Sequence, residues 1–128
     1  MLCGPYQIYC KNCQRQSNAI IYNKLYNTSE ILTIILKREK DVEFQFSFDL
    51  NINEYVKDKS CDTNYELYGV LAHFGSFGKG GNFIVYCKSP INKQWYLYND
   101  SEVTQCENVM YEIDSNSYPC VLFYQRKK

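Results

Sequence analysis

Three groups of residues have the types and spacing to do chemistry. Cys10-Lys11-Asn12-Cys13 sets two thiols two residues apart, a spacing at which both sulfurs can face one metal ion. His73 is the single histidine, and imidazole is the side chain whose ordinary titration falls near neutral pH. Gly80-Gly81 stands directly before Asn82 and the apolar run Phe83-Ile84-Val85-Tyr86. Glycines in that setting let a backbone turn sharply or let another chain come close.

Each group also meets a limit. A tetrahedral structural metal site needs four ligands, and no second Cys-x-x-Cys follows the first. Cys10 and Cys13 are expected as half a site, holding zinc if two further ligands come from another chain, or else as reduced thiols in a turn. For covalent catalysis His73 would need a nucleophile within hydrogen-bond reach. Cys87, Cys106 and Cys120 fall in strand-like or loop stretches without an activating group, and they read as packing cysteines.

The elements that must position these residues are mostly strands. Ile31–Leu36 is a short, almost wholly apolar run, expected as a strand buried on both faces. From Val42 to Leu50, Val, Phe and Leu alternate with Glu, Gln, Ser and Asp, which predicts a strand with one wet face. Further strands are expected over 65–74, 83–87, 95–98 and 118–125, separated by Gly, Asn, Asp, Ser or Pro signals. Ser89-Pro90-Ile91-Asn92-Lys93-Gln94 reads as a hairpin turn. Helical periodicity is hard to find, and no repeat or linker interrupts the chain. The residues by themselves predict one β-rich, largely antiparallel domain, with its many aromatics packing in the core and across strands.

With 14 basic against 14 acidic residues, the chain lacks the basic surplus that phosphate binding requires, so nucleic acid is not expected as a partner. The basic end Gln125-Arg126-Lys127-Lys128 reads as a solvated tail. No apolar stretch approaches the roughly 20 residues of a membrane helix, and no signal-peptide pattern opens the chain. An intracellular protein, with no membrane partner and seven reduced or metal-bound cysteines, is the expectation.

Taken in order, these motifs resemble the C-terminal half of the catalytic domain of the ubiquitin-specific proteases, a family of papain-like cysteine deubiquitinases. YCKNC at 9–13 is similar to the second zinc-ribbon knuckle of the family's fingers. EILTIILKR at 30–38 resembles its Leu/Ile run ending in Leu-Lys-Arg-Phe, with Glu39 in place of Phe, and VEFQFSFDLNINEYV at 42–56 resembles the stretch that follows. YELYGVLAHFGSFGKGGNF at 65–83 resembles the histidine box, WYLYND at 95–100 the segment of the third catalytic residue, and YPCVLFYQR at 118–126 the closing strand.

The resemblance implies an α+β fold dominated by antiparallel sheet. Residues 1–128 would be a papain-like palm with part of the zinc-ribbon fingers, the helical thumb being absent. It also exposes two departures. The family's nucleophile lies in a Gly-Asn-Thr-Cys-type box, and these 128 residues contain none. Its general base is the His of Gly-Gly-His-Tyr, where this chain has Gly80, Gly81, Asn82 and Phe83. Asn99 takes the position of the third catalytic residue, with Asp100 after it. The glycine turn, His73, Phe83 and Tyr98 would line the groove for ubiquitin's C-terminal tail.

A carboxamide cannot take or give a proton near neutral pH, so Asn82 cannot serve as the base. The expected function is a catalytically inactive relative that binds ubiquitin, a ubiquitinated protein, or another protein covering an exposed palm face. Two rivals remain at this level: a split or truncated hydrolase whose nucleophile lies on another segment, and a structural subunit that has lost ubiquitin.

Overall fold

The computed structural model describes residues 1–37, 44–75 and 80–128. Strands β1 (Ile8–Cys10) and β2 (Arg15–Ser17) form a small antiparallel hairpin. The main sheet is built from β3 (Ile31–Ile35), β4 (Asp49–Asn51), β5 (Asn64–Phe74), β6 (Asn82–Lys88), β7 (Trp95–Asn99), β8 (Glu102–Cys106) and β9 (Ser117–Arg126). Their order is β3-β9-β5-β6-β7-β8, with β4 on β5 beyond the end of β6, and every pairing among them is antiparallel. One α-helix among the described residues, α1 (Val109–Asn116), joins β8 to β9. The fold is α+β and dominated by antiparallel sheet, as expected.

The core lies on one face of this sheet. Tyr65, Leu67, Val70 and Ala72 of β5 point there, opposite Leu122 and Tyr124 of β9 and Ile84 and Tyr86 of β6. Strict alternation would carry Gly69 and Leu71 inward after Leu67. A β-bulge at Tyr68, between the pairs Leu67–Tyr124 and Gly69–Phe123, resets the parity and keeps Val70 and Ala72 in the core. Ile52 and Val56 of the segment before β5, and Val109 and Ile113 of α1, close over this face.

Each fully buried Leu or Ile stabilises by about 1.5–3 kcal/mol. The ion pairs Lys88–Glu66 and Lys127–Asp49 lie at the surface, where solvent screens them and they add little. The apolar layer therefore sets the stability.

Three expectations need correction. β3 forms where the apolar run predicts, yet only one of its faces is covered: Leu32 and Ile34 are half-buried, whereas Ile31 and Ile35 are exposed. It ends the sheet, and the packed layer reaches it from the core side alone. The alternating strand of 42–50 does not form as one element. Val42 and Glu43 lie outside the described residues, and of the rest only Asp49 and Leu50 enter a strand. Phe48 instead sets its ring 5.9 Å from Trp95, and its carbonyl accepts from Leu67 N–H at 2.7 Å. Tyr124 reaches across to donate to the Ser47 carbonyl at 2.8 Å.

The third correction is α1, which periodicity does not reveal. It buries two residues four apart, Val109 and Ile113. Its start is set by Asn108, whose side chain accepts from Tyr111 N–H at 3.2 Å. Its end is marked by Ser117, whose hydroxyl donates to the Ile113 carbonyl at 3.0 Å.

Candidate functional site

Two turns bring the candidate residues to one end of the sheet. The β5–β6 connection returns through Gly80 and Gly81, both with positive φ (+92° and +126°). The β7–β8 turn is two residues, because Asn99 pairs with Glu102, and Asp100 takes φ +51° there. Asp is among the few non-glycine residues that tolerate this left-handed conformation. Asn82 thus opens β6 and Asn99 closes β7.

Register puts these two asparagines on the same face. Tyr86 pairs with Leu97, so Ile84 is the neighbour of Asn99 and Asn82 lies on the diagonal, all facing the core side. The Asn82 amide Nδ2 donates to Asn99 Oδ1 at 2.7 Å, with both side chains half-buried. Two carboxamides hold each other here, and neither can take or give a proton near neutral pH.

The remaining groove candidates lie on the other face. His73 pairs with Phe83 across β5 and β6, and their rings meet edge to face at 5.3 Å. Tyr98 pairs with Val85, which places it on the same outer face, and it is exposed, as is Phe83. Gly81 joins the two sets. A Cβ there would stand 2.2 Å from the Phe74 carbonyl and 2.8 Å from His73 Cε1. The close approach that this glycine permits is thus made by the chain's own β5. Among the described residues a Cβ at Gly80 would meet nothing within 4 Å.

No cysteine in the sheet offers His73 an activated thiol. Cys106 pairs with Trp95 on the core side, and burial, reinforced by the Glu112 carboxylate, pushes its thiol up to about 12. Burial also raises the Cys87 thiol. Cys87 pairs with Gly69, four residues from His73 along β5, or about 13 Å at the usual strand rise. The Cys120 thiol, in a second bulge of β9 against β5, donates to the Tyr118 carbonyl at 3.4 Å.

Cys10 and Cys13 bracket the β1–β2 turn, where Gln14 has φ +52°. The Cys13 N–H donates to Cys10 Sγ at 3.4 Å. That bond, with the Cys13 thiol and the Asn12 N–H, lowers the Cys10 thiol below its ordinary value. The turn presents two soft thiol donors of the type that zinc accepts. Among the described residues no third His, Cys, Asp or Glu gathers with them, so these donors fit only half of a tetrahedral site.

Sequence reasoning did not anticipate a groove of about 420 Å³ beside this end of the sheet, between Phe74-Gly75 and residues 114–118. Its signal is absent from local pattern, because it depends on where α1 ends.

Residues 6–124 match the family model described as "Ubiquitin carboxyl-terminal hydrolase". The chain is 34% identical over 134 residues to ubiquitin carboxyl-terminal hydrolase 12 of Saccharomyces cerevisiae, covering 93% of this chain and 10% of that one. It is 33% identical over 132 residues to ubiquitin carboxyl-terminal hydrolase 4 of Bos taurus, covering 93% and 13%. The chain therefore spans about a tenth of the length of these relatives. Among solved structures, the SAGA DUB module of Ubp8, Sgf11, Sus1 and Sgf73 bound to monoubiquitin contains a chain that matches with TM-score 0.80 and 25% identity. That match covers 100% of this chain and 30% of its counterpart.

Proposed function

Because the chain belongs to the ubiquitin carboxyl-terminal hydrolase family, we propose that it is a ubiquitin-binding member that does not hydrolyse, its residues 1–128 forming the palm and a remnant of the fingers. The observation that carries this reading is the Asn82–Asn99 hydrogen bond at 2.7 Å. Hydrolysis by a thiol needs a group that holds the thiolate and then protonates the leaving amine. Loss of such acid–base help costs about 10²–10⁴ in rate, and an amide pair offers none of it. This holds whatever segment supplies a nucleophile, so the divided-hydrolase reading is the weaker of the two.

Binding can survive the loss of the base. No described residue crowds Gly80, and His73, Phe83 and Tyr98 line the adjoining outer face, where an extended, side-chain-poor peptide can lie against the sheet end. The monoubiquitin in the SAGA DUB structure supports ubiquitin as the ligand. That outer face also carries exposed Ile35, Tyr118 and Val103, an apolar surface suited to a covering protein partner. Seven free cysteines suit a reducing, intracellular setting.

The test is titration of isotope-labelled ubiquitin with the protein. Resonance shifts concentrated in ubiquitin's C-terminal tail, abolished when its last two glycines are removed, are expected. Covalent labelling of a cysteine by a tail-reactive ubiquitin probe would refute the non-hydrolysing assignment, and absence of any shift would refute binding.

A further inference from the structure

Among the described residues the sheet ends at β3, and none of them pairs with its outer edge. Leu36 N–H donates to the Cys120 carbonyl at 2.9 Å, and Arg126 N–H donates to the Glu30 carbonyl at 2.8 Å. With Ile31 opposite Gln125 and Ile35 opposite Val121, residues 30, 32, 34 and 36 direct their backbone groups at β9. The N–H and C=O groups of Ile31, Thr33 and Ile35 point the other way. Among the described residues no strand pairs with them. The Ser29 hydroxyl donates to the Ile31 carbonyl, which keeps a second lone pair for another donor.

Proteins blunt such edges with charge, proline or a bulge. Ile31-Leu32-Thr33-Ile34-Ile35 has none of these and is β-branched at all but Leu32. Its Ile35 is 74% exposed.

We propose that β3 pairs antiparallel with β3 of a second copy of this chain, about a two-fold axis at Thr33, joining two sheets into one. The outward-pointing groups select this register. Thr33 meets Thr33 of the second copy, and Ile31 meets Ile35 at both ends, each pair exchanging both backbone bonds. A slip of two residues loses an end pair, and a slip of one presents groups already bonded to β9.

The flanking charges select the direction. Antiparallel pairing brings Glu30 of one copy within a residue of Lys37 of the other, twice over, whereas parallel pairing sets like charge beside like. An isologous contact of this kind closes at the dimer. This reading is independent of ubiquitin.

Sedimentation equilibrium of the chain, with amide hydrogen exchange followed residue by residue, tests it. A concentration-dependent dimer is expected. As it fills, the amides of Ile31, Thr33 and Ile35 should gain about tenfold or more in protection, while those of Leu32 and Ile34, already bonded to β9, gain far less. Ile35→Lys, at an exposed position, should weaken the dimer about tenfold or more. Glu30→Lys alone should weaken it, and Glu30→Lys with Lys37→Glu should restore it. A monomer at every soluble concentration would overturn the proposal. So would a dimer in which the amides of Ile31, Thr33 and Ile35 stay unprotected, or one that Glu30→Lys alone leaves unchanged.

Discussion

Asn82 and Asn99 hold each other across a diagonal of β6 and β7, amide nitrogen to amide oxygen at 2.7 Å. Neither carboxamide takes or gives a proton near neutral pH, which is why the proposed function excludes hydrolysis. Asn82→His should restore an imidazole beside Asn99. With a polypeptide supplying a family-type cysteine box, the variant should raise ubiquitin hydrolysis by about 10²–10⁴ over the unsubstituted chain. Equal rates in a ubiquitin-fluorophore assay would show that the lost base is not what limits catalysis.

Gly81 and Gly80 are adjacent, and their substitutions should differ. Gly81→Ala forces a Cβ to 2.2 Å from the Phe74 carbonyl, which adds a backbone clash to the strain of φ +126°. Overpacking of this sort costs about 1–3 kcal/mol beyond the strain itself. Gly80→Ala meets no described atom within 4 Å and carries the strain of φ +92° alone. Denaturant unfolding should rank Gly81→Ala as the less stable variant, with Gly80→Ala between it and the unsubstituted chain.

Much of the sheet is legible in the sequence because its strands are long or strongly apolar. The runs at 65–74, 83–87, 95–98 and 118–125 fall inside β5, β6, β7 and β9. The alternation of Phe44, Phe46 and Phe48 misleads, since period two records only that alternate side chains find apolar surroundings. Here they find them by laying rings over the sheet: Phe44 stacks on Phe46 at 6.1 Å, and Phe48 sits by Trp95. β8 is polar and solvated, and α1 buries too little for a helical stripe. The residues of the candidate site are readable by resemblance. Their division between two faces is not, because it depends on the pairing of Tyr86 with Leu97 and of His73 with Phe83.

Thiol reactivity should separate the cysteines by environment. Cys10 has its thiol lowered by the Cys13 N–H and lies on an exposed hairpin, whereas Cys106 is buried and pushed up to about 12. Thiolate is the reacting form. Limited alkylation near pH 8, read by peptide mass spectrometry, should modify Cys10 early and leave Cys106 intact until the protein unfolds. Modification of Cys106 at native pace would contradict its burial.

The short helix should depend on its first residue. Asn108→Ala removes the acceptor for Tyr111 N–H and should cost about 1 kcal/mol. Asn108→Ser or Asn108→Asp, which keep an acceptor, should recover most of it. Thermal melts of the three variants provide the comparison.

Alkaline pH should destabilise the fold through the same buried core. Burial, then the Glu112 carboxylate, pushes the folded Cys106 thiol up to about 12, above its ordinary value of 9.0. Below pH 9 both folded and unfolded chains keep the proton, and the group adds no pH dependence. Above it the unfolded thiol ionises first, so the unfolded chain binds fewer protons. Stability then falls as pH rises toward 12, by at most about 1.4 kcal/mol per unit from this group. Tyr86 and Tyr124, also raised by burial, add the same sign above pH 10. Cys106→Val should lessen the fall between pH 9 and 10, where the buried Cys87 thiol contributes the remainder with the same sign. Glu112→Gln should flatten it partly, because removing that charge lets the folded thiol ionise at lower pH. Urea midpoints taken from pH 7 to 10.5 on the three proteins would show the ordering, and parallel curves for all of them would place the alkaline sensitivity elsewhere.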